Sequence, residues 1–431
     1  MDAKIREVNN IWELYGLHMS PFSTSPLLVK GGLIPTESFI GRKEELKHLL
    51  KMFGSEGGSR TLVCGDVGVG KTTLVNMARA NIIEKGFFSP IKELGIQDSW
   101  GSTQFVLNTL YAIYATIKLM PKKPISADTY RKLQKLLDFD NRVVSGANIT
   151  FGLVGGGVSR DETPPAMIPN ASLIDFFVDV IKEIKEYTHN DIVIHYNNLE
   201  NLKENMIRRL FEDLRDFFQT PNVHFVFVGN LTIYSIFQSM PRFSSIISST
   251  PVILRDLTLD EIKQIIRIRI EYLRISKELK FIVPFDDDTL AVLYELYSGN
   301  IRSILNSLDT AITFATDERP IVLDKFSLAN ILKQVVEKTY LSQLQPKPRE
   351  VLMVAVKYQE ITNRQLNDLT KMARSNISTY TSILERNGCM YVRRKDGKDK
   401  YWSVEPKIKW LLLESPDPHQ PILKAYTKEF E

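Results

Sequence analysis

Between a short apolar run, Thr61-Leu-Val-Cys64, and a helical pattern over Lys71–Glu84, the chain reads Gly65-Asp-Val-Gly-Val-Gly70-Lys71-Thr72. Three glycines in six residues suit neither a helix interior nor a strand interior. They let successive backbone N–H groups curl inward around an anion instead. The octapeptide fills every fixed position of the Gly-x4-Gly-Lys-Ser/Thr pattern, in the strand–loop–helix context that the pattern requires. By average residue usage, a chain this long meets the pattern by chance about once in a hundred. Lys71 is placed to reach β- and γ-phosphates and the Thr72 hydroxyl to ligate magnesium. The helix that opens there adds its partial positive charge. The expectation is a site for ATP with Mg2+, formed by Gly65, Asp66, Val67, Gly68, Val69, Gly70, Lys71, Thr72 and Thr73.

Two further runs, Asp191-Ile-Val-Ile-His-Tyr196 and Val223-His-Phe-Val-Phe-Val228, are apolar without alternation, as strands covered on both faces are. Helical patterns at Trp100–Met120, Asp128–Leu137, Leu173–Tyr187 and Met206–Phe218 intervene, so the fold class is α/β with a parallel sheet. After Pro251 the pattern changes to four helices, Leu259–Arg274, Asp288–Tyr297, Ile301–Ala315 and Lys325–Glu337. Pro346 and Pro348 read as a linker, and the tail then shows helices at about 349–358, 364–371 and 375–387. Two strands follow at about 390–394 and 400–404, around an Asp-Gly turn. The expected division is a lead-in at 1–38, with one short helix over Ile5–Tyr15, an α/β core at 39–250, a helical lid at 251–340 and a tail domain at 341–431. Ala147–Arg160, with Gly155-Gly-Gly157 at its centre, reads as a β-hairpin.

The chain of 431 residues is 43% hydrophobic and 25% charged, which is ordinary for a globular protein. No run approaches the roughly 18 to 20 apolar residues of a membrane span, so no membrane partner is expected. The N-terminus carries no secretory pattern. Cys64 and Cys389 form no pair at metal-ligand spacing, and a reducing cytoplasm is the expected location. The net charge of +4 is unevenly spread: residues 341–431 hold 16 Lys and Arg against 11 Asp and Glu. An acidic partner for the tail, duplex DNA above all, is one reading of that excess; a well-solvated surface is the other.

In order along the chain, Phe39-Ile-Gly-Arg-Lys-Glu-Glu45, the phosphate loop, the strand end Asn197-Asn198-Leu199-Glu200, Val226-Phe-Val-Gly-Asn230 and Gly299-Asn-Ile-Arg302 resemble the AAA+ ATPases, especially their origin-recognition and initiator branch. The resemblance spans about residues 36 to 413. It implies that Ile40 and Arg42 line an adenine pocket, that Asn230 and Arg302 act as the two sensors, and that Arg242 is an arginine finger completing a neighbour's site in a homo-oligomer. It also implies an acidic pair where Asn197 and Asn198 stand. An amide oxygen can ligate magnesium, but an amide accepts no proton from water. Phosphoryl transfer rests largely on positioning and charge stabilisation, so binding is expected to survive while hydrolysis suffers. Asn197 is then the second magnesium ligand, and Glu200 a partial substitute for the missing acid.

The tail's order of helix, turn, helix and hairpin resembles a winged helix-turn-helix. Within Ser375–Gly388, Ile377, Tyr380, Ile383 and Leu384 are expected inward; Ser375, Asn376, Ser378, Thr379 and Ser382 are left to face a major groove. Arg393, Arg394, Lys395 and Lys398 would meet phosphates. Three functions remain open: an ATP-controlled DNA-binding switch of initiator or mobile-element type, a defence-like signalling switch whose tail recruits a protein, and an active motor, which the missing acids disfavour. His195, inside a strand pattern, reads as a core residue.

Overall fold

In a computed structural model of the chain, the described residues are 10–28, 32, 34, 36–144, 170–247, 250–278, 281–396 and 399–412. The expected hairpin at Ala147–Arg160 lies outside them. Contacts divide the chain into one unit of Pro26–Arg255 and another of Met1–Ser25 with Asp256–Glu431.

The first unit is built on five parallel strands: β1 (Arg60–Cys64), β2 (Leu94–Gly95), β3 (Ile192–Asn197), β4 (Val223–Gly229) and β5 (Val252–Ile253), in the order β2-β3-β4-β1-β5. β1, β3 and β4 are the three runs that the apolar pattern marks. β2 and β5 have two residues each, too few to show a period. Side chains alternate across the sheet. Ile192, Ile194, Tyr196, Phe225 and Phe227 join an aromatic-rich core on one face, where Tyr196 stacks on Phe105 at 4.7 Å. Val63, Val193, Val226 and Val228 join a smaller aliphatic core on the other.

Around the sheet lie α1 (Lys43–Phe53), α2 (Lys71–Glu84), α3 (Ser102–Leu119), α4 (Ala127–Val144), α5 (Asn170–Thr188), α6 (Glu204–Asp213), α7 (Arg215–Phe218), α8 (Leu231–Gln238) and α9 (Pro241–Ser244). The single helix expected over Met206–Phe218 is interrupted at Leu214, which leaves α-helical geometry at φ −101° and ψ 17°. Leu214 and Phe217 are both buried in the aromatic core. The periodicity continues through the break because both pieces bury the same face.

Two histidines are buried in this sheet. His224 Nδ1 lies 2.8 Å from Ser59 Oγ and Nε2 lies 3.5 Å from Asp191 Oδ2, while Lys185 donates to Asp191 at 2.7 Å. His195 is buried as expected, and neither ring nitrogen has a hydrogen-bond partner among the described residues. Burial holds both rings below the ordinary value: His224 is lowered to about 4, against the pull of Asp191, and His195 is held well below the ordinary imidazole value by its complete burial, with Arg79 adding to the effect. A lowered folded-state value means that the unfolded chain takes up protons first. Stability should be intact above pH about 6.5 and fall as the pH drops toward about 4, by up to about 1.4 kcal/mol per pH unit for each histidine. Urea midpoints measured between pH 7.5 and 4.5 test this, and His224→Asn should flatten the profile.

The second unit contains α10 (Leu259–Tyr272), α11 (Asp287–Leu296), α12 (Ile301–Ala315), α13 (Lys325–Val336), α14 (Pro346–Ala355), α15 (Asn363–Thr370), α16 (Arg374–Arg386) and α17 (Pro406–Leu412). Strands β6 (Ile361–Thr362), β7 (Met390–Asp396) and β8 (Asp399–Val404) form an antiparallel sheet in the order β6-β8-β7. Capping boxes start α10 (Thr258 with Glu261) and α15 (Thr362 with Gln365), satisfying otherwise orphaned N–H groups. Pro346 and Pro348 are not a linker. Pro346 opens α14 and Pro348 is buried in its first turn, where a missing N–H costs nothing. A π-helical turn at Glu337–Leu341 carries α13 toward α14, and Val336, Leu341, Val351, Leu352, Trp402 and Ile408 share one core.

The lead-in also has a structure of its own. A 3-10 turn at Ile11–Tyr15 stands where the short helix was expected. Phe22 packs between Trp12 and Phe285, at 5.6 and 6.0 Å between ring centroids. The Tyr15 hydroxyl meets Thr316 Oγ1 at 2.6 Å, and the buried Arg269 donates to the carbonyls of Pro21 and Ser23. Residues 10–25 are therefore a strap on the helices that follow residue 256.

Candidate nucleotide-binding site

The Gly-rich loop leaves the C-terminal end of β1 and runs into α2. Gly70 caps α2 at φ +98°, a left-handed conformation that suits glycine. At Gly65 a side chain is excluded by packing, since a Cβ would lie 2.9 Å from Val69 Cγ2 and 3.0 Å from the Leu254 carbonyl. Arg42 is buried behind the loop, where its Nη2 donates to the carbonyls of Val69 at 3.1 Å and Arg255 at 2.5 Å. It braces the loop against the segment after β5. Nothing local in the sequence marks that role, because both acceptors are backbone atoms. Ile40 is half-buried just before α1, Val67 is exposed, and Thr73 is half-buried in the first turn of α2.

Four expected residues, Lys71, Thr72, Asn197 and Glu200, converge at the loop. Lys71, buried at 6% exposure, donates through Nζ to the carbonyls of Gly65 and Asp66, each at 2.9 Å. Its Nζ also lies 3.9 Å from Glu200 Oε1. Asn197, at the end of β3, donates from Nδ2 to Thr72 Oγ1 at 3.1 Å and accepts from the Asn198 N–H through Oδ1. Turning that amide by 180° would put its oxygen beside Thr72, the arrangement that a cation requires. A phosphate-bound Mg2+ takes few protein ligands, and the Thr72 hydroxyl with an Asn197 oxygen fits such an ion.

Asn198 and Glu200 diverge. Asn198 is exposed at φ +66°, with its amide over Gly95 at the end of β2. Glu200 is on a 3-10 turn (Leu199–Asn201), and its Oε2 is buried with no hydrogen-bond partner among the described residues. Of Asn198 and Glu200, Glu200 is the one that turns into the cradle, with its carboxylate 3.9 Å from Lys71 Nζ. The Cys64 thiol beneath the loop is pushed up to about 12 by burial, against the pull of Lys71, and is no nucleophile.

The other expected residues are placed separately. Asn230 follows β4 and caps α8, its Oδ1 accepting from Ile233 N–H at 3.2 Å; its amide nitrogen is the group left to meet a phosphate. Arg242 is exposed on α9 and lines a cavity of about 340 Å³ with Glu212, Asp213, Arg215 and Asp216. Arg302 is exposed in the first turn of α12, in the other unit. Its helix starts as the sequence suggests, with Gly299 at φ +81° and Asn300 accepting from Ser303 N–H.

In the tail, Ile377 and Leu384 are buried, Tyr380 and Ile383 are half-buried, and Ser375, Asn376, Ser378, Thr379 and Ser382 are exposed on α16. Arg393 is exposed at a bulge in the β7–β8 pairing. Arg394 is exposed too but paired with Glu360. Lys398 and the side chain of Lys395 lie outside the described residues.

Residues 49–233 match the KAP family P-loop domain, so this part of the chain is a P-loop NTPase domain. A comparison with curated protein sequences gives no match. Among solved structures, the chain is similar to the ORC2 protein of Aeropyrum pernix, at 13% identity and a TM-score of 0.47, over 91% of this chain and 96% of that one. It is also similar to Cdc6p from Pyrobaculum aerophilum, at 13% identity and a TM-score of 0.41, over 90% and 96%. A third is a RuvB mutant of Thermotoga maritima, at 14% identity and a TM-score of 0.42, over 89% and 100%. No helix among the described residues is long and apolar enough to cross a membrane.

Proposed function

We propose that the chain is a switch of AAA+ type that binds ATP with Mg2+ and thereby controls duplex-DNA binding by a C-terminal winged helix, in an initiator-like or mobile-element role. The convergence of Lys71, Thr72, Asn197 and Glu200 at one glycine-rich loop carries the reading. Lys71 would exchange the carbonyls of Gly65 and Asp66 for phosphate oxygens. Thr72 and Asn197 would hold the metal, which supplies charge neutralisation at the phosphates. With a single acid in place of two, turnover is slow. Glu200 is the group that accepts a proton from attacking water. General-base help is typically worth about 10²- to 10⁴-fold, so Glu200→Gln should remove most of whatever hydrolysis exists. Asn197→Asp should raise it by strengthening the metal site. Wild-type turnover of about 1 per second or faster, well within the ordinary enzyme range, would contradict a slow switch. The exposure of Arg242 suits assembly of copies, although the acids around it compete for its charge.

The DNA half is supported by the hydroxyl- and amide-bearing face of α16 beside the basic hairpin. The tail shares its core with α13, so the test uses the full chain. Binding to a labelled duplex should weaken steeply with salt and change between ATP, ADP and no nucleotide. Arg393→Ala should flatten the plot of log affinity against log salt by about 0.9. Asn376→Ala should alter preference among sequences. Absence of duplex binding at about 50 mM salt in every nucleotide state would favour the second reading, a protein-recruiting tail. The existing pairing of Arg394 is the observation on its side.

A further inference from the structure

Resting on the DNA-binding reading, we infer that Glu360 acts as an internal stand-in for a DNA phosphate at the wing, holding Arg394 in phosphate-binding geometry until the duplex displaces it. Glu360 immediately precedes β6. Arg394 Nε donates to both of its carboxylate oxygens at 3.1 Å, and Nη2 donates to Oε1 at 2.5 Å. The guanidinium carbon lies 3.4 Å from the ring centroid of Tyr401, the residue opposite Arg394 on β8.

The bulge explains the placement. Val392 pairs with Trp402 and Arg394 pairs with Tyr401, so Arg393 is an extra residue without a partner across the ladder. It shifts the alternation by one, and that shift seats Arg394 against Tyr401 and Glu360. The two neighbouring arginines are thereby made unequal: Arg393 projects from the bulge, while Arg394 is stacked and bound.

A carboxylate and a phosphodiester present similar paired acceptors to the guanidinium fork. Stacking on Tyr401 keeps the fork oriented whichever acid occupies it, so a phosphate arriving there meets a preorganised donor. The Glu360 side chain is 28% exposed and that of Arg394 is 48% exposed. Pairs so open to water are weak, and a phosphate can displace the carboxylate. Until that happens the site carries no net charge. The wing then recruits DNA through Arg393 and Lys400 alone among its described side chains, and Arg394 engages only when the duplex is close enough to compete.

The test is duplex binding by the full chain across about 50–200 mM KCl, comparing wild type, Glu360→Gln, Arg394→Met and the double variant. Asp368→Asn, which removes an exposed charge elsewhere in the tail, is the control. Glu360→Gln should bind about 3- to 5-fold tighter than wild type. Its salt slope should differ from wild type by less than about 0.9, since Arg394 meets the phosphate in both proteins and only the displaced carboxylate is missing. The gain should disappear in the Arg394→Met background, and Asp368→Asn should gain less than about 2-fold. An equal gain with and without Arg394 would reduce the effect to net charge and overturn the inference. Weaker binding by Glu360→Gln at unchanged thermal stability would overturn it as well, since Glu360 would then support the bound wing. If no version binds duplex at about 50 mM salt, the DNA-binding reading itself fails and takes the inference with it.

Discussion

Lys71→Ala should bind ATP at least about 100-fold more weakly than wild type while keeping its fold, a difference of about 2.8 kcal/mol. Lys71 is the only cation in the loop motif, and it is buried at 6% exposure. A charge-assisted hydrogen bond to phosphate in such a place is among the strong ones. The substitution also leaves the Gly65 and Asp66 carbonyls without the ammonium and Glu200 without its neighbour, so a small loss of stability is expected alongside. Calorimetric titration with ATP, on a variant whose circular dichroism matches wild type, separates the two effects. A change in affinity below about 3-fold would remove the loop from the nucleotide site.

Phe22→Ala should destabilise the unit of residues 10–25 and 256–412 by about 3–5 kcal/mol, the usual cost of truncating a buried aromatic. Phe22 is 1% exposed, and its loss opens a cavity between Trp12 and Phe285. Three of the four tryptophans, Trp12, Trp402 and Trp410, belong to this unit, with only Trp100 in the other. Intrinsic fluorescence during urea unfolding therefore follows it. The fluorescence midpoint should fall sharply while ATP affinity, measured in native buffer, stays within about 2-fold, since the P-loop unit has its own core. A loss of less than about 1 kcal/mol would mean that the strap is peripheral.

The sequence determined the features whose causes are local. The loop is legible because glycine alone supplies its backbone angles and its closeness to Leu254, and because the lysine and threonine follow at fixed spacing. β1, β3 and β4 are legible because strands covered on both faces need apolar side chains at consecutive positions. The starts of α10, α12 and α15 follow from capping residues within three positions of the N–H groups that they satisfy. Tertiary structure decided everything that depends on which distant segments meet. Phe22 and Tyr15 carry no signal that their partners are Phe285 and Thr316, so the strap reads as irregular chain. Asn198 and Glu200 are two residues apart, and only the left-handed turn at 198 directs one to β2 and the other to Lys71. Arg42 gives no hint that it holds backbone carbonyls 27 and 213 residues away. Arg393 and Arg394 are chemically identical in the sequence. A single bulge, set by the pairing of two strands, leaves one projecting and binds the other to Glu360. Periodicity and capping act over a few residues, whereas the orientation of a side chain at a site is set by packing against parts of the chain that no local pattern encodes.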